Sequence, residues 1–212
     1  MKALCCILNY NCNENANYLY NEFNKYCEAH VIDSNSDNPY PYFENVGNYY
    51  YTNLFNHAIR KFNNGDYTNL IIITSDIIIS KEAIEYTSNF ANGELGKIGI
   101  WSLQTDKLSR DHFNPYDENK HDSYVTMFIE GFFQVMNKVV VKKHKYIPLE
   151  INKIGVCIDQ YSAAICAKLN KYLVIDRHFT IHHPQEKGYD YNEAHSYDCQ
   201  FFKWVIQQIN QI

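Results

Sequence analysis

With 212 residues, 46% of them hydrophobic, the chain is long enough for one large domain or two small ones around a sizeable core. Its net charge of -5 excludes a broad attraction to nucleic acid or to an anionic membrane, and the local basic patch Lys142-Lys143-His144-Lys145 reads as a solvated face. No apolar stretch approaches the roughly 20 residues of a membrane helix and Met1 to Leu8 is too short for a signal peptide, so a cytoplasmic protein without an integral membrane segment is expected.

Ala3 to Asn9 is an apolar run that fits a buried strand, ending in the polar cluster Asn9 to Glu14. Residues 15 to 27 place Ala16, Leu19, Tyr20, Phe23, Tyr26 and Cys27 at helical spacing. His30 to Asp33 is a second strand, again closed by an acid and turn residues, which completes a βαβ unit. Residues 51 to 62 form an amphipathic helix closed by Asn63-Asn64-Gly65-Asp66. In the central strand that follows, Asp76 stands between two isoleucine runs. A carboxylate is costly to bury without a partner, so Asp76 is placed at a strand end facing a cation or donor groups.

Ser80 is an expected N-cap for the next helix, and Lys97 to Trp101 is a further strand. The stretch from Ser102 to Ser123, with Asp106, Arg110, Asp111, His112, Pro115 and Asp117, reads as a long loop of the kind that carries function. Apolar segments return at Tyr124 to Phe133 and Val135 to Val141. Gly155 to Asp159 then leads into a helix over 160–170, and two short strands, Leu173 to Ile175 and Phe179 to Ile181, end at His182-His183. A final helix spans 199–209. Alternating strands and helices predict an α/β fold with a mostly parallel sheet, whose ligands bind at the strands' carboxyl ends. Seven cysteines without a Cys-x-x-Cys spacing are expected to be reduced, buried thiols.

Asn9-Tyr10-Asn11 after the first strand, Val31 to Asp37 after the second, Ser75-Asp76, Asp159 before a helix and His182-His183 occur in the order that resembles the GT-A fold glycosyltransferases, most nearly the family-2 type. Asn45-Val46-Gly47 and Asn56-His57-Ala58-Ile59 look like the family's segments ahead of its metal-binding acid. The resemblance covers nearly the whole chain, and a fainter one points to glycosyltransferase domains encoded by large algal viruses within longer multidomain chains. It implies a single GT-A domain over 1–212, with 1–101 as the nucleotide-sugar half and 102–212 as the acceptor half.

The resemblance further implies Mn2+ or Mg2+ as cofactor, a UDP-sugar donor and a saccharide acceptor. Asn9, Tyr10, Asn11, Asp33, Asn56, Ser75 and Asp76 fall at its nucleotide-sugar site, with Tyr10 near the base and Asp33 accepting from base or ribose. Asp76, with His182 or His183, falls at its metal site, where a cation stabilises charge on the departing diphosphate. The family's usual Asp-x-Asp is Thr74-Ser75-Asp76 here, so a single carboxylate must suffice. Asp159 falls at the general base of an inverting transfer, with Glu130 in reserve because an acid in so apolar a run lacks another explanation. The same residue types also have purely structural uses: Asp76 as a turn or helix cap, Asp33 and Asp37 as Asx-turn formers, Asp159 as an acid favoured by a helix dipole, the histidines as turn residues.

A sugar nucleotidyltransferase would want a Gly-rich basic loop, and Asn9 to Glu14 has no glycine, lysine or arginine. A non-catalytic nucleotide-sugar or carbohydrate-binding domain stays open because of Thr74. No Gly-x-Gly-x-x-Gly supports a dehydrogenase, and no local signature supports a Ser or Cys hydrolase.

Overall fold

The computed structural model describes residues 2–47, 50–106, 122–184 and 191–212. Its elements run β1 (Leu4–Asn9), α1 (Asn13–Phe23), β2 (Glu28–Asp33), β3 (Glu44–Asn45), α2 (Tyr50–Asn63), β4 (Asn69–Thr74), α3 (Lys81–Asn92), β5 (Ile98–Thr105), β6 (Ser123–Thr126), β7 (Phe133–Asn137), α4 (Lys138–Val141), α5 (Ile158–Lys168), β8 (Tyr172–Ile181) and α6 (Tyr191–Ile209). Among the described residues they build one sheet in the order β3-β2-β1-β4-β7-β5-β8-β6.

β1 is buried along its whole length because helices cover both faces of the sheet, as parallel strands require. Leu4, Cys6, Leu70, Ile72 and Met136 meet α2, α5 and α6 on one face. Cys5, Ile7, Ile71, Ile73 and Trp101 meet α1 and α3 on the other. Each buried isoleucine contributes about 1.5–3 kcal/mol relative to leaving it in water.

β1, β2, β3 and β4 are parallel, and β5 is parallel to β8. β7 enters antiparallel between β4 and β5, which leaves those two pointing the same way, and β6 is antiparallel to β8. The mostly parallel expectation therefore holds, with β6 and β7 reversed. The carboxyl ends of β1, β2, β4, β5 and β8 share one edge.

Several boundaries differ from the sequence reading. The first helix closes at Phe23, where the amides of Tyr26 and Cys27 both donate to the Phe23 carbonyl, each at 3.0 Å. β4 stops at Thr74, and Ile78 afterwards makes an isolated bridge to His182. β5 extends through Thr105: its Ser102, Gln104 and Thr105 are buried, and Gln104 is bonded to Thr180 at 3.2 Å, so polar residues concealed a strand inside the expected loop. Arg110, Asp111, His112, Pro115 and Asp117 lie outside the described residues. The two short strands before His182 are one strand, and the last helix begins eight residues early, at Tyr191 rather than Cys199. Ser80 caps α3 as expected, accepting from the Ala83 amide at 3.2 Å. Among the described residues Cys5, Cys6, Cys12, Cys27, Cys157 and Cys166 are free thiols.

Candidate active site

Two loops, after β1 and β2, are stitched together at the shared edge. Asp33 is 0% exposed. Its Oδ1 accepts from Asn9 Nδ2 at 2.7 Å and Ser36 Oγ at 2.5 Å, and its Oδ2 accepts from the Ser36 amide at 2.9 Å. Ser36 Oγ in turn accepts from the Asn11 amide at 2.7 Å, and Asn11 Oδ1 accepts from the Asp37 amide at 2.7 Å. Asn11, Asn35 and Asn38 hold left-handed φ values of 54°, 57° and 51°, a conformation asparagine tolerates well, which gives part of the asparagine content a local use. Fully enclosed and bonded on both carboxylate oxygens, Asp33 shapes this loop. Asn9 is likewise buried, while Tyr10, 53% exposed, presents its ring at the rim.

The next strand delivers Asp76. Ser75 is buried, its amide donating to Leu8 O at 2.9 Å and its carbonyl accepting from Asn15 Nδ2 at 2.7 Å, so it fixes the chain that carries the acid. Asp76 Oδ2 lies 3.3 Å from His183 Nε2, whereas Oδ1 is buried with no hydrogen-bond partner. Burial pushes this carboxyl up, but hydrogen bonding, chiefly to His183, outweighs it and holds the group below the ordinary carboxylate range. The Thr74 hydroxyl itself donates to the Phe132 carbonyl at 3.5 Å. His183 is itself stacked on Phe132, with ring centres 4.3 Å apart and planes at 15°.

His182 does not join Asp76. Its backbone is tied to Ile78 in both directions, at 2.9 and 3.0 Å, and its Nδ1 lies 2.6 Å from Asp106 Oδ2. Consecutive residues of an extended segment face opposite sides, so the two histidines serve two different aspartates. Of the two histidines expected as alternatives beside Asp76, His183 is the one that lies next to it, and His182 pairs with Asp106 instead. Among the described residues no three metal-ligating side chains cluster together. Asn56 is buried in α2, and its amide both donates to Ile147 O at 2.8 Å and accepts from the Ile147 amide at 3.0 Å, which makes it a clamp inside the fold.

Asp159 lies in the first turn of α5 and accepts from the Gln160 amide at 2.8 Å. It stands beside Gly131, where an added Cβ would lie 4.0 Å from Asp159 Cβ and 3.0 Å from the Tyr51 hydroxyl. Tyr51 donates to the Gly131 carbonyl at 2.7 Å, and burial, then the Asp159 charge, pushes its phenol well above the ordinary range. Gly131 adjoins Phe132, whose carbonyl accepts from the Thr74 amide at 2.8 Å. Asp159 is thus linked through Gly131, Phe132 and His183 to Asp76. Glu130 is buried in a narrow cleft beside them, lined also by Gln104, Thr105, Tyr124 and Phe132. Sequence reasoning gave no role to Asp106, Phe132, Tyr51 or Ser36. Only Ser36 left a usable signal, its position three residues after Asp33 in an Asx-type turn.

No family model matches the chain, and no curated protein matches it. Among solved structures, S. aureus TarS 1–349 in complex with UDP-GlcNAc matches at a TM-score of 0.67 and 12% identity, covering 98% of this chain and 66% of that one. GalNAc-T7 with UDP, GalNAc and Mn2+ matches at 0.58 and 9% identity, over 86% of this chain and 43% of that one. A197 from STIV matches at 0.50 and 12% identity, over 88% and 87% of the two chains. The chain therefore spans less than two thirds of the TarS and GalNAc-T7 chains. At these identities the likeness concerns the fold: the α/β architecture described above is the GT-A fold expected from the sequence.

Proposed function

We propose that this chain is a metal-assisted glycosyltransferase that moves a hexose or deoxyhexose from a nucleotide-diphosphate sugar, a UDP-sugar foremost, to a saccharide hydroxyl with inversion. The observation that carries the reading is Asp76: a buried carboxylate oxygen without a partner, at the strand edge where a GT-A fold receives its donor. Residues 1–101 are read as the nucleotide-sugar half and 102–212 as the acceptor half. A cytoplasmic location accompanies the reading, and among the described residues no helix is long and apolar enough to cross a membrane.

The donor set suits Mn2+ or Mg2+. One carboxylate and one imidazole are a donor pair compatible with either cation when a nucleotide supplies further oxygens. Asp76 and His183 would hold the cation, which when bound neutralises charge on the diphosphate leaving group. Tyr10 stacks on the base, and the backbone of Asn9 to Asn11, braced by Asp33 and Ser36, lines its pocket. Asp159 accepts the acceptor hydroxyl's proton as that oxygen bonds to the anomeric carbon and the bond from that carbon to the diphosphate breaks.

Asp159→Asn tests the base. UDP affinity should stay within about twofold, while turnover of the UDP-sugar falls by roughly 10²–10⁴-fold. Near-normal turnover would sink the assignment. Thr74 in place of an acid favours, as a second reading, nucleotide-sugar binding without transfer, and slow hydrolysis of UDP-sugars without acceptor would exclude that.

A further inference from the structure

β8 does not run evenly past β5. Its pairing jumps from Leu103↔Asp176 to Gln104↔Thr180, so Arg177, His178 and Phe179 bulge out with no partner on β5. Bulges of this kind re-aim side chains and are frequent beside active sites. The re-aimed group here is a cation. Arg177 is only 8% exposed, with its guanidinium carbon 4.0 Å from the centre of the Tyr124 ring.

The compensation for this charge is thin. Arg177 Nε is buried with no hydrogen-bond partner. Nη1 faces Asp122 Oδ1 at 3.4 Å, but that side chain is 73% exposed, so water screens the pair. The neighbouring acid, Asp176, is committed elsewhere: it accepts from the Tyr86 hydroxyl at 2.9 Å and the His178 amide at 2.9 Å, and lies 2.6 Å from His178 Nδ1. A buried charge normally has a close ionic partner, and beyond the Tyr124 side chain this one has only the exposed Asp122.

Tyr124, which carries the guanidinium, is also a wall of the cleft formed with Gln104, Thr105, Glu130 and Phe132. Glu130 makes interactions of its own, and Phe132 leads to His183 and Asp159. We propose that Arg177 and Tyr124 form an anion subsite beside this cleft, taking a carboxylate or phosphate group carried by the acceptor. The planar guanidinium can grip two oxygens of such a group at once through its terminal N–H groups. The acceptor assignment rests on the glycosyltransferase reading, whereas the anion subsite rests on the geometry alone.

The test is calorimetric titration of the full chain with methyl glucuronide and with glycerol 3-phosphate, each against its neutral counterpart, methyl glucoside and glycerol. UDP is titrated in parallel. At least one anion should bind about tenfold or more tighter than its counterpart, and which one does so identifies carboxylate or phosphate. Arg177→Gln should erase the preference, and Arg177→Lys should retain part of it. Asp122→Asn, a surface change that removes the competing carboxylate, should tighten the anion several-fold, and it decides the matter should Arg177→Gln not fold. UDP affinity should be the same throughout. Equal binding of charged and neutral probes, or unchanged anion affinity in Asp122→Asn, overturns the subsite. Anion binding without any UDP binding would instead retain the subsite and remove the glycosyltransferase reading.

Discussion

His144 sits edge-on between the rings of Phe55 and Tyr161, with centres 5.2 and 5.0 Å away, and neither of its ring nitrogens has a hydrogen-bond partner. Its sequence neighbours Lys142, Lys143 and Lys145 are exposed, so the basic run read as a solvated face is solvated except at this residue. Burial drives the imidazole from its ordinary 6.5 down to about 3. Between those values the unfolded chain holds the extra proton. Stability on this account is complete above the unfolded value and is lost as pH falls toward the folded one, at up to about 1.4 kcal/mol per pH unit. His144→Leu should flatten that slope and, by removing unbonded buried nitrogens, add about 1 kcal/mol near neutral pH. Urea unfolding at several values from about pH 8 to about pH 5 measures both quantities. An unchanged slope in the variant would contradict the assignment to His144.

α5 owes its placement to the few residues before it. Gly155 holds a φ of 97° and Cys157 a φ of 64°, while Asn152 braces the turn by accepting from the Gly155 amide at 2.9 Å and donating to Val156 O at 2.7 Å. A Cβ at position 155 would lie 2.7 Å from Cβ and Cδ1 of Tyr51, the side chain that also supports Gly131 opposite Asp159. Gly155→Ala should therefore cost about 1–3 kcal/mol in stability through backbone strain. It should also lower turnover more than donor affinity, because the start of the helix carries Asp159. Thermal unfolding and the split between turnover and UDP affinity give the two readings, and wild-type values for both would refute the argument. Helices with clear apolar periodicity, such as α2, were legible from the sequence to within a residue or so. β5 was not, because a strand buried on both faces can hide Ser102 and Gln104 among internal partners, and alternation then carries no signal. Nor was the β8 bulge, which exists only in relation to Leu103 and Gln104 on another strand.

The sheet as a whole decides which residues meet. Asp76 was readable as a strand-end acid because the isoleucines on either side leave it no apolar alternative. Which histidine it meets was not readable: that follows from the antiparallel entry of β7, which brings Phe132 under His183, and from the Ile78–His182 bridge, which turns His182 toward Asp106. This division can be tested on the intact fold by thermal unfolding with UDP, with and without Mn2+. A ligand at about 100 times its Kd stabilises by about 2.7 kcal/mol, which for a chain of this size raises the Tm by roughly 5–10 °C. Asp76→Ala and His183→Ala should lose the part of that rise that depends on Mn2+. His182→Ala should keep it, since its partner is Asp106, even though the variant itself melts somewhat lower. Equal loss in the two histidine variants would mean that both imidazoles serve one cation, and loss in His182→Ala alone would transfer the metal-side role to the Asp106 pair.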